Sequence, residues 1–296
     1  MQSDNLRGIL LMVASMALFA MEDMFIKLAA IGIPTGEIVL LSGLFGIPIF
    51  AAMAWRSGKS VWVRAAWQPA VMIRNVGEMV GSIAYVTALA TVPLPTVSAV
   101  LQAMPLVVTM GAALFLGATV GWRRWTAIAV GFAGVLLVIR PGLDGFRPAA
   151  LWVLFTVVGL AVRDLASRAV PVEFSSAQVS AWGAMAITLL GVMMMAGTGK
   201  AVMPDFPQAM YLILMGIFGS AGYWAITAAT RTGEVATVAP FRYARLVFAI
   251  IIGWLMFSEP ADTLTLSGAG LIIASGLYSF ARERKRKSLS TAAPAL

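Results

Sequence analysis

The chain has 296 residues, of which 60% are hydrophobic and 11% charged, with a mean hydropathy of +0.90 and a formal charge of +8. A soluble domain carries about 25% charged residues, so this much apolar surface points to a bilayer and excludes a water-soluble core. Neither Cys nor His occurs, which excludes disulfides, thiol nucleophiles, His-centred triads and His-ligated metal; no metal, no cofactor and no enzymatic activity is expected.

In chain order, ten apolar stretches are predicted as helices. The first five cover about 7–28, 35–55, 69–91, 95–117 and 122–140, and the second five about 148–170, 176–197, 207–230, 235–257 and 264–282. Each holds about 20 residues, enough to cross roughly 30 Å of hydrocarbon at 1.5 Å per residue. The joints carry helix breakers, among them Gly32-Ile-Pro34, Pro93-Leu-Pro95, Pro141-Gly142, Pro171, Pro204 and Pro260. The first stretch follows a short, modestly charged head without a clear cleavage site, so it counts as a span and not a leader. Pro105 falls inside the fourth stretch and Pro240 near the start of the ninth. An interior proline removes a ladder bond and bends a helix; the two kinks serve as hinges or merely shape the bundle.

The second five stretches echo the first five. Asp23 and Lys27 recur as Asp164 and Arg168, and Gly81-Ser-Ile-Ala-Tyr85 recurs as Gly219-Ser-Ala-Gly-Tyr223. A repeat with an odd number of spans enters the membrane upside-down the second time, the arrangement of alternating-access transporters. The expected fold is an all-α integral membrane protein of ten transmembrane helices in two inverted five-helix repeats. The repeats occupy 1–142 and 143–283, followed by a basic, disordered tail over 284–296. With the N-terminus inside, thirteen Lys and Arg of the loops and tail lie on the cytosolic side and four on the other, which places both termini in the cytosol. The basic excess therefore reflects topology and anionic lipid, and no nucleic-acid partner is expected.

Several charges belong to no loop. Arg74, Glu78, Arg163, Asp164, Arg242 and Arg245 fall in the cytosolic half by residue count and sum to +2; Glu22 and Asp23 fall in the outer half and, with Lys27 at the outer end of the span, sum to −1. A mid-span charge costs roughly 2.5–3.5 kcal/mol on insertion scales, so these groups must face the bundle interior, water or one another. One reading is structural, with ion pairs such as Arg74 and Glu78 fixing helix register. The other is a polar transport path whose cytosolic charges pair across spans 3, 6 and 9 as a gate, with a zwitterion lying across the field. Asp23, Arg74, Arg163, Asp164, Arg242 and Arg245 are the gate or ion-pair candidates. Glu22, Glu78, Tyr85, Gln102, Tyr223 and Phe241 are the cavity candidates, although each of the aromatic and amide groups has packing as its plain alternative. The stripes Gly77-x-x-x-Gly81 and Gly216-x-x-Gly219-x-x-Gly222 are expected to serve close helix packing.

The end of each half carries a further pattern: Leu246-Val-Phe-Ala-Ile-Ile-Ile-Gly-Trp-Leu-Met-Phe-Ser-Glu-Pro260 with Ser267-Gly-Ala-Gly-Leu-Ile-Ile273, and Pro105-Leu-Val-Val-Thr-Met-Gly-Ala-Ala-Leu-Phe-Leu-Gly117 with Val130-Gly-Phe-Ala-Gly-Val-Leu-Leu137. In these motifs the chain resembles drug/metabolite transporters of the EamA type over about residues 6–283. That family usually has Glu after the fourth and ninth spans; Glu259 keeps it, and Thr119 stands in its place in the first half. The resemblance implies a bacterial inner-membrane carrier that exports small metabolites through a cavity between spans 1, 3, 4, 6, 8 and 9. Within the family the likeness is greatest to amino-acid exporters, including the aromatic amino-acid exporter. The expected partners are an amino acid or similar metabolite and the lipid bilayer, with a monomeric assembly. A passive channel or facilitator is the alternative.

Overall fold

The computed structural model describes residues 2–142, 146–199 and 201–292, and every regular element among them is helical. The helices are α1 (Gln2–Ala29), α2 (Thr35–Arg56), α3 (Pro69–Thr91), α4 (Leu94–Leu101), α5 (Met104–Phe115), α6 (Trp122–Ile139), α7 (Leu151–Ser167), α8 (Ser176–Thr198), α9 (Phe206–Thr232), α10 (Val235–Val238), α11 (Ala244–Phe257) and α12 (Thr263–Ala292), with short 3-10 turns at 64–67, 148–150 and 239–243. They coincide with the ten apolar stretches to within a few residues, except at the two chain ends, where α1 and α12 run further. Side chains from residue 283 onward, and all of 293–296, lie outside the described residues; of the tail expected to be disordered, 284–292 continue α12 as helix.

Among the described residues nine stretches are long and apolar enough to cross a membrane: Asp4–Ala29, Thr35–Arg56, Leu94–Phe115, Trp122–Ile139, Pro148–Ser167, Ser176–Thr198, Phe206–Thr232, Ala239–Phe257 and Thr263–Arg282. Helix α3 has 23 residues, so it meets the length but not the apolarity. It carries Arg74, Asn75, Glu78, Ser82, Thr87 and Thr91, and its neighbours supply the burial its composition lacks.

Two spans are broken. The fourth stretch divides into α4 and α5 around Gln102 and Ala103, with Pro105 in the first turn of α5. The ninth divides into α10, the 3-10 turn that contains Pro240, and α11. In each case the proline sits where its missing N–H costs least, at the start of a new helical segment.

The helices pack in antiparallel pairs: α1 along α9, α2 along α8, α3 along α7 and α6 along α12, with α4 against α11. Glycines set these approaches. A Cβ at Gly159 would stand 2.5 Å from Gly81 N and 2.8 Å from its Cα, and one at Gly77 2.7 Å from Arg163 N. Gly134 and Gly268 face each other's carbonyls in the same manner, and Gly191 lies on Leu40. Between bilayer-spanning helices close backbone contact supplies the packing attraction that a hydrophobic driving force supplies in water. Inside lies an apolar core that includes Ile38, Leu89, Leu94 and Ile272, all fully buried. Trp55, Trp67 and Trp122, at helix ends, and Trp62, in the loop after α2, are exposed, as expected of side chains anchored at a membrane–water interface.

The α3–α7 contact gives the first expected outcome. Gly159→Ala forces backbone against backbone and lowers stability by about 1–3 kcal/mol, read as a lower unfolding midpoint in detergent. Gly197→Ala, with nothing within 4 Å of its Cβ, leaves the midpoint unchanged or slightly raised.

Candidate functional site

Asp23 is the most completely enclosed charge, its side chain 1% exposed on α1. Arg245, in the first turn of α11, grips it with two nitrogens: Nη2 donates to Oδ1 at 2.7 Å and Nε to Oδ2 at 3.1 Å. Tyr85 from α3 donates its hydroxyl to Asp23 Oδ1 and accepts from Arg245 Nη2 at 2.7 Å. The guanidinium also lies 5.3 Å from the centre of the Phe19 ring, a cation–π contact. Three helices from both halves of the chain thus meet at one carboxylate. Residue count assigns Arg245 to the cytosolic half and Asp23 to the outer one, yet the structure pairs them. The 3-10 turn at 239–243 rises about 2.0 Å per residue against 1.5 Å in an α-helix, and the long arginine side chain covers the rest.

A second cluster joins α3 to α7. Arg74 Nη2 lies 2.7 Å from Glu78 Oε2, Arg163 Nη1 3.2 Å from Glu78 Oε1, and Arg163 Nε 2.9 Å from Asp164 Oδ1. Arg74 also donates to Asn75 Oδ1 at 3.1 Å, and its guanidinium rests on Gly183 of α8, where no side chain has room. The cytosolic charges expected to pair across spans 3, 6 and 9 therefore pair across 3 and 6 alone; the arginine of span 9 that finds an acid, Arg245, takes Asp23 of span 1.

The two broken spans touch at their breaks. Gln102, at the end of α4, donates through Nε2 to the Tyr243 carbonyl at 3.1 Å and more weakly to that of Arg242 at 3.5 Å. A helix break frees carbonyls that need donors, and Gln102 supplies one from the opposite half. Tyr223 shares a hydrogen bond with Ser180 at 3.1 Å and meets Phe50 edge-on at 4.8 Å. Phe241, in the 3-10 turn, is 39% exposed.

Of the intramembrane charges singled out from the sequence, Arg242 and Glu22 have no ion pair in the structure. The Arg242 side chain is exposed and lies within electrostatic reach of Asp164, Arg163 and Arg245, with no ion pair of its own. Glu22, half-buried on α1, lies beside Asp23 and within reach of Arg245, its carboxylate against Gly219 of α9 and without a hydrogen bond. Arg74, Arg163, Glu78 and Asp164 cancel formally, as do Arg245 and Asp23. What remains is one positive charge at Arg242 and one negative charge at Glu22.

One end of the bundle is tied by further polar contacts. Lys27 Nζ lies 3.0 Å from Glu259 Oε1 and donates to the Val92 carbonyl at 2.8 Å, while Glu259 Oε2 accepts from Leu94 N at 2.9 Å. One lysine and one carboxylate thereby join the ends of α1 and α3, the start of α4 and the loop after α11. Nearby, Arg140 pairs with Asp262, and Glu37 accepts from Val202 N at 3.1 Å. The hydrogen bond from Arg140 holds the Asp262 carboxyl down at about 2. Pairing of Lys27 with Glu259 escapes sequence reasoning, although an intramembrane lysine and a Glu at the end of span 9 are both visible there. No group of three acids that could hold a metal occurs among the described residues.

The EamA-like transporter family matches residues 6–140 and 147–280. A riboflavin transporter of Rhizobium johnstonii is 30% identical over 217 residues, 73% of this chain and 71% of that one. An S-adenosylmethionine uptake transporter of Rickettsia bellii is 24% identical over 73% of this chain and 74% of its own. A pseudopaline exporter of Pseudomonas aeruginosa is 25% identical over 94% of this chain and 97% of its own. A solved crystal structure covers 92% of this chain and 98% of its own at 20% identity with a TM-score of 0.57, a likeness of fold. The chain belongs to the EamA-like transporter family: it is a multi-pass membrane protein and a transporter of small molecules, not an enzyme.

Two outcomes follow from the ion pairs. Asp23→Asn leaves Arg245 buried without a counter-charge and costs about 3–5 kcal/mol, whereas Asp23→Asn combined with Arg245→Met loses less than Asp23→Asn alone; thermal unfolding in detergent measures both. Asp262→Asn removes a carboxylate whose folded value is depressed. The stability it contributes is present above the ordinary value near 4 and fades as pH falls through about 2. The midpoint deficit of Asp262→Asn is therefore the same at about pH 5 and about pH 8 and shrinks only in stronger acid.

Proposed function

We propose that the protein is an inner-membrane exporter of amino acids or similar zwitterionic metabolites. Ten spans in two inverted five-helix repeats, both termini cytosolic, would work by alternating access through a central cavity. The observation that carries the substrate class is the pair left without an ion-pair partner among the charges inside spans 1, 3, 6 and 9. Arg242 offers an unpaired guanidinium for a carboxylate and Glu22 an unbonded carboxylate for an ammonium group. A substrate with one charge of each sign and no net charge fits that pair, and a guanidinium is well shaped to hold a carboxylate by two hydrogen bonds. One relative's cargo, S-adenosylmethionine, ends in an α-amino-acid group that carries these two charges, beside a sulfonium that adds a further positive charge.

The inverted repeat draws support from the packing. Exchanging each span with the one five places away turns the α1–α9 pair into the α7–α3 pair, and leaves the α2–α8, α6–α12 and α4–α11 pairs as they are. A pattern unchanged by the exchange is what a two-fold relation between halves requires. Helix α3 then counts as the tenth span, buried among polar partners. The matched breaks at Gln102 and in the 3-10 turn of the ninth span fit hinges at Pro105 and Pro240. Lys27 and Glu259 fit an outer latch. Its counterpart at the other end would hold Arg168 and Thr119, a hydroxyl where the outer latch has a carboxylate. Export and the bacterial inner membrane rest on the family likeness; the relatives themselves include both an uptake transporter and an exporter.

The test is counterflow in proteoliposomes with labelled amino acids. Substrate supplied opposite accelerates tracer flux through a carrier and leaves a passive channel unchanged. Arg242→Gln and Glu22→Gln each raise KM by about 10- to 100-fold, as loss of a charge-assisted hydrogen bond of about 1.5–3 kcal/mol implies, without lowering the unfolding midpoint. Equal transport of an amino acid and its decarboxylated amine sinks the proposal.

A further inference from the structure

We infer that Gly219 sets how far the Glu22 carboxylate projects into the proposed cavity, and thereby the length of the zwitterion the site accepts. The inference rests on the reading of Glu22 and Arg242 as the two ends of the site. A Cβ built at Gly219 would stand 2.5 Å from Glu22 Oε1 and 2.8 Å from its Cδ. The carboxylate therefore occupies the room that a side chain on α9 would take.

The neighbouring glycines behave differently. Gly216 lies against the Phe45 ring at 2.8 Å and Gly222 against the Phe19 ring at 3.0 Å. Gly81, which matches Gly219 in the first half, lies against Leu160 Cδ2 at 2.7 Å. These three let apolar groups approach, the ordinary use of small residues between membrane helices. The polar seat at Gly219 is thus imposed neither by the repeat nor by the stripe, and it lies behind Glu22, whose carboxylate has neither an ion pair nor a hydrogen bond.

An added methyl group needs a separation of about 3.5 Å from its neighbour. The atom in its way is the free end of a flexible side chain, so the carboxylate yields and the α1–α9 contact stays. On the proposed geometry, displacement from α9 by roughly 1 Å carries it toward the face of α1 that meets α11, where Arg245 lies within electrostatic reach and Arg242 precedes it by one turn. The gap between the two unpaired charges narrows by about what one methylene adds to a chain. Shortening residue 22 instead, as Glu22→Asp does, draws the carboxylate back and widens the gap.

The experiment uses the full-length protein in proteoliposomes and an unbranched series of ω-amino acids from glycine to 6-aminohexanoate, each scored by its counterflow against the next longer member. Gly219→Ala is expected to shift preference by one methylene toward the shorter members, at least 3-fold in the ratio of neighbours. Glu22→Asp shifts it toward the longer ones, and the double variant returns it to the parent's. A parent that transports no member of the series overturns the zwitterion reading and this inference with it. A parent that transports them, with an unchanged length preference in Gly219→Ala and Glu22→Asp, overturns the role of Gly219 alone. Additive losses across all lengths in the double variant do the same. If Gly219→Ala fails to run as a single species on size exclusion, Glu22→Asp decides the matter: a shift toward longer members upholds the inference and no shift overturns it.

Discussion

A carboxylate enclosed in hydrocarbon has to be met by an opposite charge, and Asp23 is met by Arg245 and Tyr85 from two other helices. Much of the bundle's arrangement depends on that requirement. To bring the guanidinium within 2.7 Å, α11 must approach α1 at the height of Asp23; to bring the hydroxyl, α3 must lie alongside both. Such a triad adds little net stability over well-packed apolar groups, since desolvation offsets most of the Coulomb gain. Its consequence is positional: any other register of these helices would strand a charge. The same logic holds at Glu78, which receives Arg74 from its own helix and Arg163 from α7.

Close approach is the second constraint, and glycine meets it where charge alone cannot. Gly77, Gly81 and Gly159 let the α3 and α7 backbones touch, and that contact brings Arg163 within reach of Glu78. Gly183 gives Arg74 a seat on α8. Helix α3 therefore has two kinds of support: small residues on the side of α7 and ion pairs around Arg74 and Glu78. Its low apolarity is the result of this embedding and no argument against its burial.

Hydropathy made the helices legible, because a stretch of about 20 apolar residues has few alternatives in a bilayer. The buried charges were legible as a set, since their cost in lipid marks them wherever they fall. Their partners were not. Counting residues along ideal helices placed Arg245 and Asp23 in different halves, and the count failed because span 9 begins with a 3-10 turn and arginine is long. The seat of Glu22 on Gly219 was hidden for another reason: a glycine stripe looks the same in sequence whether its space is filled by a phenyl ring or by a carboxylate. Gln102 stood out as a polar group within a span, but its bond to the break in span 9 depends on the crossing of two helices far apart in the chain. Lys27 and Glu259 lie 232 positions apart, and nothing local joins them.

On the inverted-repeat reading, symmetry raises a problem that the charges resolve. A perfectly two-fold site would present the same chemistry to both ends of a substrate and could not orient a molecule with unlike ends. Asp23 and Asp164 keep the symmetry, and both are held by arginines, from α11 and from α7 itself. The residues immediately before them break it, with Glu22 in one half and Arg163 in the other. Arg163 is consumed by Glu78 and Asp164, so Arg242 is left as the free positive charge, while Glu22 has no arginine of its own. The unlike ends of the proposed cavity thus arise from two departures from the repeat: Glu22 where span 6 has Arg163, and Arg242 in span 9 where span 4 carries no charge.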